Sequence, residues 1–167
     1  MSFAVLPIAI ICLALIYAAI SDASVMRISN RSSALVLVSS LLALACSGLG
    51  LGELSLYFAS GGIMFLFGFI LFAVGGFGAG DAKLMAAVAL LFQPAELANF
   101  VLAVTVLGGL IAIVMMAFRA YVPPRVATSA LVASLFNHPN KMPYGIAISL
   151  AALLMLPTSE LVLLLTR

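Results

Sequence analysis

Two aspartates, Asp22 and Asp81, and a single histidine, His138, are the residues in this 167-residue chain whose types could carry chemistry. Two carboxyl groups brought close together cannot both ionise without a large cost, so one keeps a proton while the other acts as a base. Such a pair activates water against a peptide bond, the protonated partner polarising the carbonyl, and its titration belongs to the pair. Competing hydrolytic chemistries lack parts. One histidine cannot supply an HExxH zinc site, and no GxSG sequence accompanies it to make a Ser–His hydrolase. Cys12 and Cys46 each lie in an apolar run with no CxxC pair, so they read as small hydrophobes, and neither a metal nor a cofactor is expected. Each acid also has a plain structural role open to it. Asp81 precedes the helical run AKLMAAVALLF and can satisfy a helix N-terminus. Asp22 can pair at a boundary with Arg27 or Arg31.

Around Asp81 the sequence reads Gly75, Gly76, Phe77, Gly78, Ala79, Gly80, Asp81, Ala82, Lys83. Glycines at this density permit backbone conformations and close approach that side chains prevent. They admit two readings: an unwound segment beside which an extended substrate strand can lie, or a turn followed by tight helix packing in a membrane.

The elements that must position these residues follow from composition. Hydrophobic residues make up 66% and charged residues 7% of the chain, a balance that excludes a water-soluble domain. Six apolar runs stand out: Met1 to Ser21, Ser32 to Gly52, Leu54 to Gly80, Leu84 to Ala95, Leu97 to Phe118 and Met142 to Ser159. A spanning helix needs about 20 apolar residues, so the fourth run is a half-span or begins further back, near Gly80. The expected fold is all-α and polytopic, with about six transmembrane helices and residues 1–167 forming one membrane-embedded domain. The first run resembles a secretory signal but has no basic n-region and is followed by further spans, so it is read as a retained helix.

Cytoplasmic loops carry the positive excess. Arg27, Arg31, Lys83, Arg119, Arg125 and Lys141 fall on one side of a six-span arrangement, and Glu53, Glu96 and Glu160 on the other with Arg167. This places the N- and C-termini outside, a cytoplasmic loop at about 119–141, and both aspartates at the cytoplasmic face. Within that loop Val126 to Phe136 can form a surface amphipathic helix, the stretch from Tyr121 to Lys141 can contact the substrate or serve as a solvated linker, and a metal role for His138 is disfavoured. The net charge of +2 is too small and scattered for a nucleic-acid partner.

Gly78, Ala79, Gly80 and Asp81 spell GxGD, and with Lys83 the stretch GAGDAK resembles the GxGDxK signature of type IV prepilin peptidases, the leader-cleaving aspartyl proteases of bacterial inner membranes. Asp22, Ile28 and Asn30 in DASVMRISN resemble the family's other catalytic segment, and MPYGIAIS, from Met142 to Ser149, resembles its PYGxAI segment. Ser29 stands where the family usually has Pro. The resemblance implies a multi-pass inner-membrane enzyme with Asp22 and Asp81 as its catalytic pair at the cytoplasmic face, one as base and one as acid. It implies a prepilin precursor as substrate and membrane lipid as surroundings. The absence of paired CxxC motifs resembles the short, peptidase-only branch of tight-adherence (Flp-type) pili, for which no methyltransferase activity is expected. Gly78, Gly80, Lys83 and Asn30 are expected to shape the loop or bind substrate, with Lys83 either biasing the pair or reaching lipid phosphate. Two other classes compete: an Asp-dependent ion or proton transporter, and a catalytically silent pilus or secretion scaffold.

Overall fold

The computed structural model describes residues 5–26, 28–121 and 142–166. The elements are α1 (Val5–Val25), α2 (Asn30–Cys46), α3 (Leu51–Ala73), α4 (Ala79–Ala89), a 3-10 turn (Pro94–Glu96), α5 (Leu97–Tyr121), α6 (Tyr144–Met155), a second 3-10 turn (Leu156–Thr158) and α7 (Glu160–Thr166). No strand occurs among the described residues. Backbone groups in hydrocarbon have no water to bond, so helices that satisfy them internally are what so apolar a chain can form.

Each of the six apolar runs contains a helix, but not all have the length to cross. Helices α1, α3 and α5 are long and apolar enough, and α6 with α7, bent by 50°, makes a fourth candidate. Helix α2 has 17 residues. Helix α4 has 11, about 16 Å at 1.5 Å per residue, roughly half a hydrocarbon core. The chain is thus an all-α membrane protein in which α4 is an interior element. It packs against α2, α3 and α6, while α1 packs against α2 and α6, and α5 against α6. Leu84, Met85, Ala87, Val88 and Ala89 of α4 are buried in the common core. Leu13, Ile20, Leu66, Phe69, Leu102, Leu110 and Ile113 are exposed, as a lipid-facing surface requires.

Polar atoms fix where α4 sits. Ser40 Oγ in α2 donates to Ala87 O at 3.0 Å and to its own Val36 O at 2.9 Å, bonding one of the carbonyls left unpaired at the end of α4. At the far end of the bundle one carboxylate joins two elements: Glu96 accepts from Gln93 N at 2.7 Å and from Glu160 N at 3.3 Å.

Helix ends differ from the apolar runs for local reasons. Helix α1 continues four residues past Ser21, through Asp22, because a helix ends where its backbone turns and not where polarity begins. Ser24 Oγ donates to Ile20 O within the helix, and the stop is Met26, in the left-handed region at φ 52° with its N–H on Asp22 O at 2.8 Å. Helix α3 stops at Ala73, short of Gly80, because Gly75 turns left-handed at φ 80° and the Gly76 N–H returns to Leu71 O. Helix α6 ends ahead of Pro157, which lacks the N–H to continue it, and apolar chain resumes in α7 beyond the Ser159 boundary. Arg119 to Tyr121 belong to α5; the rest of the expected 119–141 loop, including His138, lies outside the described residues, as do Arg27 and Arg167.

Candidate active site

The segments that hold the two aspartates meet through their backbones. Gly80 lies against the link between α1 and α2 so closely that a β-carbon there would sit 2.8 Å from Ile28 O. Only glycine admits that approach, and it draws the start of α4 to the end of α1. On the other side, Gly145 in the first turn of α6 abuts the Asp22 side chain. The result is a cleft of about 340 Å³. Asp22, Met26 and Ile28 form one wall and Gly75 to Asp81 the opposite one, with Met142 and Tyr144 at the third side.

Asp22, in the last turn of α1, is 3% exposed, and its Oδ2 has no hydrogen-bond partner among the described residues. The amides of Gly145 and Ile146, at the N-terminus of α6, face this carboxyl, so the positive end of a helix dipole is turned toward it. Asp81 is half-buried in the first turn of α4, where its Oδ2 accepts from Gly78 N at 3.0 Å. The helix-terminus role open to Asp81 is therefore realised, and it leaves the carboxyl on the cleft. Asp81 lies outside the spanning helices. Burial first, and the charge of Asp22 second, push its carboxyl from 3.8 up to about 7, against the Gly78 N–H that favours the ionised form. The charge of Asp22 disfavours ionisation of Asp81, so the two carboxyls on this cleft influence one another's titration.

Of the six residues singled out in the sequence, Asp22, Asp81, Gly78 and Gly80 line this cleft. Lys83 and Asn30 do not. Lys83 Nζ donates to Asn30 Oδ1 at 3.1 Å, and both sit at a separate groove between α2, α3 and α4. Phe77, Tyr144, Met26 and Gly145 were not among those six. The PYG segment was the signal for Tyr144 and Gly145, whereas nothing in the sequence marks Met26 as a left-handed residue. No cluster of His, Cys, Asp or Glu suited to a metal occurs among the described residues.

Residues 9–113 match the type IV leader peptidase family, more than half of the chain, and the match takes in both aspartates and the whole glycine-rich segment. The chain belongs to that family. No curated protein and no solved structure matches it. The Met142–Ser149 segment lies beyond the matched range and earns its place in the site through Gly145 and Tyr144 alone.

Proposed function

We propose that this chain is an aspartyl endopeptidase that removes the leader of Flp-type prepilins at the cytoplasmic face of a bacterial inner membrane, with Asp22 and Asp81 as the catalytic pair. The observation that carries the proposal is their shared cleft: two acids 59 positions apart, the only aspartates in the chain, line one cavity at one end of a bundle of apolar helices. An ionisable residue among membrane helices is costly unless it works, and two in one cavity is an arrangement for acid–base chemistry.

In this mechanism one carboxylate takes a proton from water as its oxygen adds to the scissile carbonyl carbon. The protonated partner gives its proton to the carbonyl oxygen, forming a neutral tetrahedral diol. Collapse of the diol breaks the C–N bond; the proton taken from water passes to the departing amine, and a diol hydroxyl returns its proton to the pair. The glycine-rich wall leaves main-chain groups open for an extended peptide strand.

Orientation follows from charge. Glu53 at the start of α3, with Glu96 and Glu160, occupies the end opposite the glycine-rich segment, about 33 Å away along α3 at 1.5 Å per residue. Arg31, Lys83 and Arg119 lie at the aspartate end, which the positive-inside rule assigns to the cytoplasm. Helix α1 reaches Asp22 from the other side and α6 leads back to Glu160, so both termini lie toward that side, with α2 and α4 as short members of one membrane-embedded domain. Without CxxC pairs in this chain, cleavage leaves the new N-terminus unmethylated.

The test is mass spectrometry of a prepilin co-expressed with the chain in membranes. The expected product is the precursor less its leader, with no added methyl group, and unprocessed precursor when Asp81→Asn replaces the wild type at equal abundance. Processing by Asp81→Asn at the wild-type rate would remove that acid from the reaction.

A further inference from the structure

Helices α3 and α5 flank the bundle with little or no packing between them: α3 is held mainly by α4 and α5 by α6. The gap between them is a groove of about 380 Å³ with Met85 of α4 in its wall. Leu71 on α3 and Val104, Gly108, Gly109 and Ala112 on α5 supply apolar and small sides. A β-carbon at Gly109 would meet nothing within 4 Å, so the α5 wall is recessed there. Along α5 the groove runs from Val101 to Ala112, about 17 Å at 1.5 Å per residue, or half the hydrocarbon thickness.

This groove joins the aspartate cleft. Gly76, Phe77 and Tyr144 line both, and the Phe77 and Tyr144 rings meet at 5.0 Å and 48° where the two spaces adjoin. The larger groove between α2, α3 and α4, about 670 Å³ with Lys83 and Asn30 in its lining, shares no residue with the cleft.

We propose that the gap between α3 and α5 is the docking site for the substrate's own transmembrane helix, whose cytoplasmic end then passes Phe77 and Tyr144 to reach Asp22 and Asp81. The inference rests on the peptidase reading. A membrane-inserted peptide whose scissile bond enters the cleft must keep its apolar helix in bilayer beside it, and of these two apolar grooves it is the one between α3 and α5 that is continuous with the cleft. The recessed glycines let a second helix approach α5 closely, which in lipid is what holds helices together.

The test is disulfide crosslinking in membranes, using a prepilin that the wild type processes. The chain carries Cys12→Ala and Cys46→Ala, so that added cysteines are unique, and Asp81→Asn, so that substrate is not consumed. Substrate cysteines are placed one to three helical turns beyond the scissile bond. Crosslinks are expected at Gly109→Cys and Ala112→Cys, at yields at least tenfold above those at the exposed positions Leu110→Cys and Val114→Cys on the outer face of the same helix. Substrate cysteines deeper in the bilayer should shift their partner toward Val101→Cys. Equal yields on both faces of α5, preferential crosslinking to Gly62→Cys in the other groove, or no crosslink at any position would overturn the docking site. In the cleavage-competent chain, Gly109→Phe is expected to raise KM for the same prepilin at least tenfold, and Leu110→Phe to leave it unchanged. An unchanged KM for Gly109→Phe would also count against the site. Failure of the two readings is separable: processing that does not need both acids defeats the peptidase assignment, whereas acid-dependent processing with crosslinks elsewhere defeats only the docking groove.

Discussion

The Asp22 carboxyl fills the space that a side chain on Gly145 needs: a β-carbon there would sit 2.8 Å from Asp22 Oδ2, 3.0 Å from its Cβ and 2.7 Å from Ile28 Cδ1. The last turn of α1 and the first turn of α6 are in this way fitted to one another around an acid. Replacing Gly145→Ala must displace Asp22, Ile28 or α6 itself, at a cost of about 1–3 kcal/mol for overpacking. The expected result is a lower melting temperature in detergent and at least a tenfold loss of leader cleavage. Full activity in Gly145→Ala would show that the position of Asp22 is not critical.

Asp81 holds its proton up to about pH 7 in the folded chain and to about 3.8 when unfolded. Its folded pKa is raised, so the fold binds this proton more tightly than the unfolded chain does. The contribution to stability is greatest below about pH 4 and is lost as pH rises to about 7. Melting temperature should therefore fall over that window, with a shallower fall in Asp81→Asn. Cleavage needs one proton on the pair, so kcat/KM should decline as pH rises above about 7. A rate that keeps rising well into the alkaline range would contradict the pair.

Glycines on α3 make a paired prediction. At Gly68 a β-carbon would lie 2.9 Å from Ala82 Cα and 3.0 Å from Ala82 Cβ, next to Asp81, whereas at Gly62 it would meet nothing within 4 Å. Alanine favours a helix over glycine by up to about 1 kcal/mol. Gly62→Ala should therefore melt no lower than wild type, while Gly68→Ala pushes α3 off α4 and loses both stability and cleavage. Parallel melting curves and cleavage assays on the two variants decide the matter.

Lys83 and Asn30 are joined by one exposed hydrogen bond that ties the start of α2 to α4. Such a bond contributes about 1 kcal/mol or less. Lys83→Ala and Asn30→Ala should each cost that much, and the double variant should cost no more than either. Additive losses in this cycle would mean the two residues act separately.

The two aspartates as candidates, the glycine-rich segment and the six helical runs were legible because residue type and hydrophobicity carry them, whereas residue type left open whether the two acids meet. Helix ends were not. The sequence ended the first run at Ser21, yet Asp22 is in the helix because the stop is a left-handed turn at Met26, which polarity does not encode. Lys83 sits two positions after Asp81 and reads as its neighbour, but on a helix two positions apart point to different faces. It duly meets Asn30 and not the cleft. The link that Glu96 makes to Gln93 and Glu160 was invisible for another reason: those glutamates registered only as charges, and their shared role depends on chain ends brought together by folding.

The central claim is that Asp22 and Asp81 act on the substrate as one unit. It is tested most directly by cleavage rates of a purified prepilin by wild type, Asp22→Asn, Asp81→Asn and the double variant, reconstituted at equal folded amounts. Asn keeps the size and polarity of Asp but cannot cycle a proton. If the two acids form one catalytic pair, each single variant loses on the order of a thousandfold or more and the double variant is no slower than either. Near-wild-type cleavage by either single variant, or losses that multiply in the double variant, would contradict the account.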